Sequence, residues 1–364
     1  DRLGSAGRRA IPARCLNWRR ADLSSGVAFV SLFNDVIGPV MRGPSSSHTA
    51  GAHRIGLLVR DLIGGEPAKA KVIFDPGGSM APTWKPLGVD LAFTAGLMGW
   101  SMLDEHYVET LERAADAGLT VDFAEGPLEQ TDHPNGMLIT VEDTEGRELE
   151  VVAEAVGGGG IRLLRLGGWP VDLDGKAHVL LAEVASEDGP RVAGLLAGST
   201  VQEGGDTVLV SAISAKPRPV ELSEARKLWI AKPVFYVQQG RALFDNAHDM
   251  VAFSEDGDLS LGEEALAYEC ELLGMTEHEA VDEMMRRYEV MVRSVAAGLD
   301  DGRSDMLLLH PTASAVFEAE NRGALAIGGI HARAAARAMA VMHHCNSRGV
   351  VCAAPTGGSA LSLI

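Results

Sequence analysis

The hydrophobic period of this chain changes near residue 239, and that change limits the folds open to it. Before that point, short apolar runs alternate with helical stretches. Phe29–Ile37 is apolar. Lys71–Phe74, Leu119–Phe123 and Ile161–Leu166 read as strands, and Met137–Val141 with Leu149–Ala155 as a hairpin around the Asp143–Arg147 turn. Leu87–Trp100 is rich in small residues and reads as a helix packed closely on a sheet, and Glu105–Ala117 as another. Mixed strands and helices predict an α/β sandwich for the N-terminal domain. From about 239 the spacing becomes helical. Thr276 and Glu279 form a capping-box signature, and Val281, Met284, Met285, Tyr288, Val292 and Val295 share one helical face. That stripe is expected to be core, with Asp282, Glu283, Arg286 and Arg287 as a solvated face. His331–His344 is rich in alanine and suits close helix packing, so the C-terminal domain is expected to be all-α.

Residues 176–238 carry strand signals at His178–Val184, near Val201, at Thr207–Ser214 and at Pro233–Val237. Helix signals fall at Pro190–Ala197 and Leu222–Trp229. The order β-α-β-β-α-β is that of a split, ferredoxin-like module, similar to an ACT amino-acid-sensing domain. A plain extension of the first domain accounts for the same signals. The resulting plan is a leader over 1–26, an α/β domain over 27–175, the ACT-like module over 176–238 and a helical domain over 239–364. The leader holds six arginines and almost no acid, has no apolar signal core, and reads as disordered. At the other end, the sequence stops five residues after Ser359 in apolar text, which reads as a fragment.

Composition closes off several classes of function. A net charge of −18 argues against DNA or RNA as a partner. No apolar run reaches the roughly 18 residues of a membrane span. Cys15, Cys270, Cys345 and Cys352 are scattered without a Cys-x-x-Cys pair, which fits reduced thiols and a cytoplasmic setting.

Chemistry concentrates in Pro44-Ser45-Ser46-Ser47-His48-Thr49. Helical text starts at Ala50, with Ile55, Leu58, Val59 and Leu62 in period and Gly64-Gly65 as a stop. Three serine hydroxyls, an imidazole and a threonine hydroxyl therefore precede a helix N-terminus, where free N–H groups favour an anion such as a carboxylate. A single N-capping serine among loop polar residues is the plainer account. Asp132-His133-Pro134-Asn135 is a polar turn. Gly157–Gly160 requires close approach or positive φ, and its spacing is not that of a dinucleotide fingerprint. His343-His344-Cys345 and Cys352 match no standard zinc spacing, and Cys352 reads as buried and structural. Pro355-Thr356-Gly357-Gly358-Ser359 is either a ligand-gripping loop or a simple turn.

Together these stretches carry a family resemblance. Phe33, Ile37-Gly38-Pro39-Val40-Met41, Gly43 and the run from Pro44 to Gly51 resemble the opening of the β region of iron–sulfur-dependent L-serine dehydratase (L-serine ammonia-lyase). His133-Pro134-Asn135 and Gly157–Gly160 resemble later landmarks of that region. Ala338, Val341, Asn346, Gly349 and Ala353-Ala354-Pro355-Thr356-x-Gly358-Ser359 resemble the α region. The resemblance implies a lyase that converts L-serine to pyruvate and ammonia in serine catabolism, with a [4Fe–4S] cluster as Lewis acid. It implies that Ser45, Ser46, Ser47 and Thr49 bind the substrate with His133 and Asn135, that His48 handles a proton, and that Thr356, Gly357, Gly358 and Ser359 close the site. It also implies a homo-oligomer or a complementary α chain. Ala360 stands where many members have Cys, so metal ligands cannot be assigned in this chain. A non-catalytic chain that binds serine or another amino acid for regulation is the alternative.

Overall fold

The computed structural model describes residues 29–219, 222–300 and 310–354. The leader read over 1–26 and the turn Pro355–Ser359 lie outside them. The chain groups into two compact units, one of Phe33–Val237 with Arg287–Ile364 and one of Asp1–Leu32 with Gln238–Arg286.

The first unit opens with a short strand, β1 (Met41–Arg42), and helix α1 (Ala50–Ile63), ended by Gly64 at φ 69°. Next come β2 (Pro67–Phe74), α2 (Val89–Leu97), α3 (Thr110–Asp116) and β3 (Thr120–Glu125). The strands β4 (Gly136–Asp143), β5 (Glu148–Gly157), β6 (Gly160–Leu166) and β7 (Trp169–Leu173) follow. They form a six-stranded sheet ordered β3-β2-β4-β5-β6-β7, in which only β2 and β3 run parallel. The sequence explains the one-sided burial. Ala70, Val72 and Phe74 point into the core, whereas Lys69 and Lys71, at the alternate positions, are exposed. Helix α2 reaches α1 through glycines. A Cβ on Gly56 would lie 2.4 Å from the Phe93 carbonyl oxygen, and one on Gly96 would lie 2.2 Å from that of His53. Strand β7 had no counterpart in the sequence reading.

The next stretch adds β8 (His178–Ala185), α4 (Gly189–Leu195), β9 (Thr200–Gly204), β10 (Thr207–Ser214) and β11 (Lys227–Ala231). They form an antiparallel sheet ordered β11-β8-β10-β9. Both its faces are covered, which is why β8 is apolar without a break from Val179 to Ala182. Val179 and Leu181 join the core of α1, while Leu180, Ala182 and Val184 pack with Val192 and Leu196 of the α4 side. Two expectations fail here. Leu222–Trp229 is no helix: its second half belongs to β11, where Trp229 and Ala231 are buried and Leu228 and Ile230 exposed, a period of two. Pro233–Val237 is irregular and pairs with no strand.

The second unit contains α5 (Ala247–Gly257), α6 (Leu261–Leu273) and the start of α7 (Glu277–Gly298). Asn246 caps α5, and Ser260 with Glu263 forms a capping box on α6. The predicted box on α7 is present, with Thr276 N donating to Glu279 Oε2 at 2.8 Å and Glu279 N to Thr276 Oγ1 at 3.3 Å. The expected faces of α7 are reversed. Val281, Met284, Met285, Tyr288 and Val292 are exposed, and only Val295 of that stripe is buried. The buried stripe is Ala280, Glu283, Arg287, Val290 and Ser294. Its two charged members are tolerated because they are bonded. Arg287 Nη1 donates to the carbonyls of Phe33 (2.9 Å) and Ile37 (3.0 Å), and Glu283 accepts two bonds from Arg286.

The remaining elements belong to the first unit: α8 (Ala313–Asn321), α9 (Ile330–Asn346) and β12 (Val350–Val351). The alanines of α9 allow the close approach expected of them, since a Cβ on Gly298 would lie 1.7 Å from the Ala340 carbonyl oxygen. Strand β12 pairs antiparallel with β1. Among the described residues, no helix is long and apolar enough to cross a membrane.

Candidate functional site

The polar loop folds onto itself ahead of α1. Thr49 stands at the N-cap, yet its hydroxyl turns back to the carbonyls of Arg42 (2.7 Å) and Ser45 (2.8 Å). No side chain caps the helix, and although the Ser46 carbonyl takes the Gly51 N–H, the dipole at this end favours an anion. Ser45 Oγ and Ser47 Oγ lie 3.2 Å apart, and each lies 3.1 Å from Nδ1 of His48. On the other side of the ring, Nε2 is 3.0 Å from Thr83 Oγ1. The Thr83 hydroxyl gives its proton to the Ser79 carbonyl, so it receives the Nε2–H. Nδ1 is then the free base of the ring, facing two serine hydroxyls. Burial holds the His48 pKa below the usual histidine value, only partly opposed by a hydrogen bond to the Ser79 backbone. Ser46 presents its carbonyl to Gly51 N at 2.8 Å.

Asn135 joins this network through Ser79, whose hydroxyl bonds Asn135 Oδ1. Asn135 Nδ2 in turn holds the Ala155 carbonyl at 3.1 Å. Ser79 N also donates to the Pro134 carbonyl at 2.7 Å, which seats the His-Pro-Asn turn over the loop after β2. His133 takes a local part: its Nδ1 accepts from Asn135 N at 3.1 Å. Ser79 and Thr83 escaped the sequence reading. The available signal was the glycine pair at 77–78, a turn at the end of a strand that puts the next hydroxyls beside the loop.

Arg54 escaped it too. Its Nη1 donates to the Gly159 carbonyl at 2.6 Å and its guanidinium lies 3.9 Å from the Phe235 ring centroid. Burial, with Arg287 nearby, draws its pKa down to about 10, so it stays charged at neutral pH. Gly157, Gly158 and Gly159 all have positive φ, and a Cβ on Gly159 would lie 2.7 Å from Arg54 Nη1 and 3.2 Å from Ala50 Cβ. The glycine turn thus lies against the first turn of α1.

The far end of the described chain runs beside the approach to the loop. Gly38 N donates to the Ala353 carbonyl (2.6 Å) and Gly43 N to that of Gly349 (3.1 Å). Thr356, Gly357, Gly358 and Ser359, expected to close the site, lie outside the described residues. Cys345 Sγ faces the Pro44 carbonyl at 3.5 Å and Cys352 Sγ that of Gly38 at 3.1 Å. Burial raises the Cys345 thiol to about 11, so it stays protonated. A four-iron cluster needs three or four thiolates. Among the described residues no group of three His, Cys, Asp or Glu side chains could hold a metal ion, so these residues do not fit such a cluster.

No protein-family model matches the chain. It is 41% identical over 147 residues to the probable L-serine dehydratase, beta chain, of Bacillus subtilis (strain 168), which covers 40% of this chain and 65% of that protein. It is 33% identical over 167 residues to the L-serine dehydratase, beta chain, of Peptoniphilus asaccharolyticus, covering 45% of this chain and 74% of that one. The chain thus spans just under two thirds of the first relative and about three quarters of the second.

Proposed function

This chain belongs to the L-serine dehydratase beta-chain family, and from that premise we propose that its Ser/His loop binds L-serine for deamination to pyruvate and ammonia. The observation that carries the reading is the convergence of Ser45 and Ser47 on Nδ1 of His48, at the start of α1, which no side chain caps. The substrate carboxylate would take the helix end and the serine hydroxyls. Nδ1 of His48 would accept or hold a proton of the bound amino acid, its ring fixed by Thr83. Asn135, held through Ser79, and the Arg54 charge behind the glycine turn would keep that end of the helix shaped and positive. The described residues offer no thiolate set, so the [4Fe–4S] cluster implied by the resemblance would draw donors from elsewhere, such as a complementary alpha chain or a second copy.

Titration calorimetry with L-serine tests the binding step. The wild-type chain should bind serine, and His48→Ala should weaken binding at least about tenfold, in proportion to one lost charge-assisted contact. Unchanged binding in a folded variant defeats the reading. Turnover is tested by pyruvate release after anaerobic iron–sulfur reconstitution, alone and with a complementary alpha chain. A second reading, a regulatory serine-binding chain, draws on the antiparallel sheet with α4 on one face, which is similar to an ACT-like module. Serine binding without pyruvate in the reconstituted, complete system would favour it.

A further inference from the structure

The second unit contains a cavity of about 680 Å³, within the usual size range of small-molecule sites. Its walls follow from helical spacing. Leu261, Glu264, Ala265 and Tyr268 form one face of α6 at i, i+3, i+4 and i+7, the pattern of a core stripe. Phe244 and Phe29 line other sides. The Phe244 ring lies 4.9 Å from that of Tyr268 and 5.9 Å from that of Phe253, which fixes an aromatic wall.

One member of that stripe has the wrong chemistry for core. Glu264 is 2% exposed, and among the described residues its Oε1 has no hydrogen-bond partner. A buried carboxylate is retained at such cost only when something pairs with it. Asp245 adds a second acid to the lining, and among the described residues no Lys, Arg or His lines the cavity. Apolar and aromatic walls with acidic groups, and no cation among the described lining residues, complement a ligand that is itself apolar and positively charged.

We propose that this cavity binds a small organic amine in its protonated form, its ammonium pairing with Glu264 and its apolar body lying among Phe29, Phe244 and Tyr268. This site is independent of the serine loop and stands whether or not that loop binds serine.

Titration calorimetry on the full chain tests it, with 2-phenylethylamine as the probe and 2-phenylethanol as its uncharged counterpart. The amine should bind saturably at one site and the alcohol much more weakly. Glu264→Gln should weaken the amine at least tenfold and leave the alcohol unchanged. Leu261→Trp, at the exposed rim, should obstruct both probes without touching the acid, and circular dichroism confirms that each variant is folded. No saturable binding of the amine, or equal binding by Glu264→Gln, overturns the proposal.

Discussion

His53, one turn into α1, shows what burial does to a titratable side chain. Its Nε2 lies 2.7 Å from the Trp100 carbonyl, and burial draws its pKa from 6.5 to about 4. Between those values the unfolded chain binds a proton that the folded chain refuses. Stability from this residue is therefore complete above about pH 6.5 and lost as the pH falls towards 4, by on the order of 3 kcal/mol at most. Urea unfolding at pH 7.5 and 4.5 should show the drop, and His53→Gln, which keeps a donor to Trp100, should show less of it; equal drops would assign the acid sensitivity to other groups. The same scale sets what can be read from sequence. Ser45, Ser47 and His48 were legible because they sit within four residues of one another. Ser79 and Thr83 were not, because the loop after β2 brings them to the site only once the sheet has formed, and Arg54 was not, because its partners Gly159 and Phe235 lie more than a hundred residues on.

Elements were legible where pattern and environment agreed. The β4–β5 hairpin alternates near its turn, where Val141 and Leu149 are buried and Thr140, Glu148 and Glu150 exposed, while Val151–Ala155 are buried without a break. The capping box on α7 needs only local contacts. The faces of α7 were misread because its apolar stripe points outward and its buried stripe carries Glu283, paired with Arg286, and Arg287, whose partners are carbonyls some 250 residues away in sequence. Two substitutions test the corrected orientation. Met285→Lys should change stability by no more than about 0.5 kcal/mol, as at an exposed site. Val290→Ala, at a position 6% exposed, should cost roughly 1–3 kcal/mol as a buried truncation. Chemical denaturation decides: a larger loss for Met285→Lys would restore the original face. Gly298→Ala is a companion case. Alanine favours a helix by about 1 kcal/mol, but here its methyl meets the Ala340 backbone, which cannot swing aside. A net loss of about 1–2 kcal/mol is expected, and a gain in melting temperature would show that α7 and α9 are less closely packed.

Across the whole molecule, serine should act as a stabiliser if it binds the folded loop. At a hundred times its dissociation constant it should add about 2.7 kcal/mol by mass action. A differential scanning melt with serine should move upward and one with D-serine much less; no movement at saturating serine would count against the loop as a binding site. The broad division into mixed α/β and helical text was readable from hydrophobic period. The pairing of distant segments was not, because no local pattern encodes a partner three hundred residues away.

The ladder between Met41–Arg42 and Val350–Val351 has a topological consequence. The polypeptide clasps two distant reaches of itself, so the scaffold under the serine loop is finished only once Val351 has emerged. A version cut between β11 and α5 would leave Met41–Arg42 as a bare edge, and the two pieces would have to find each other before that loop could take its shape.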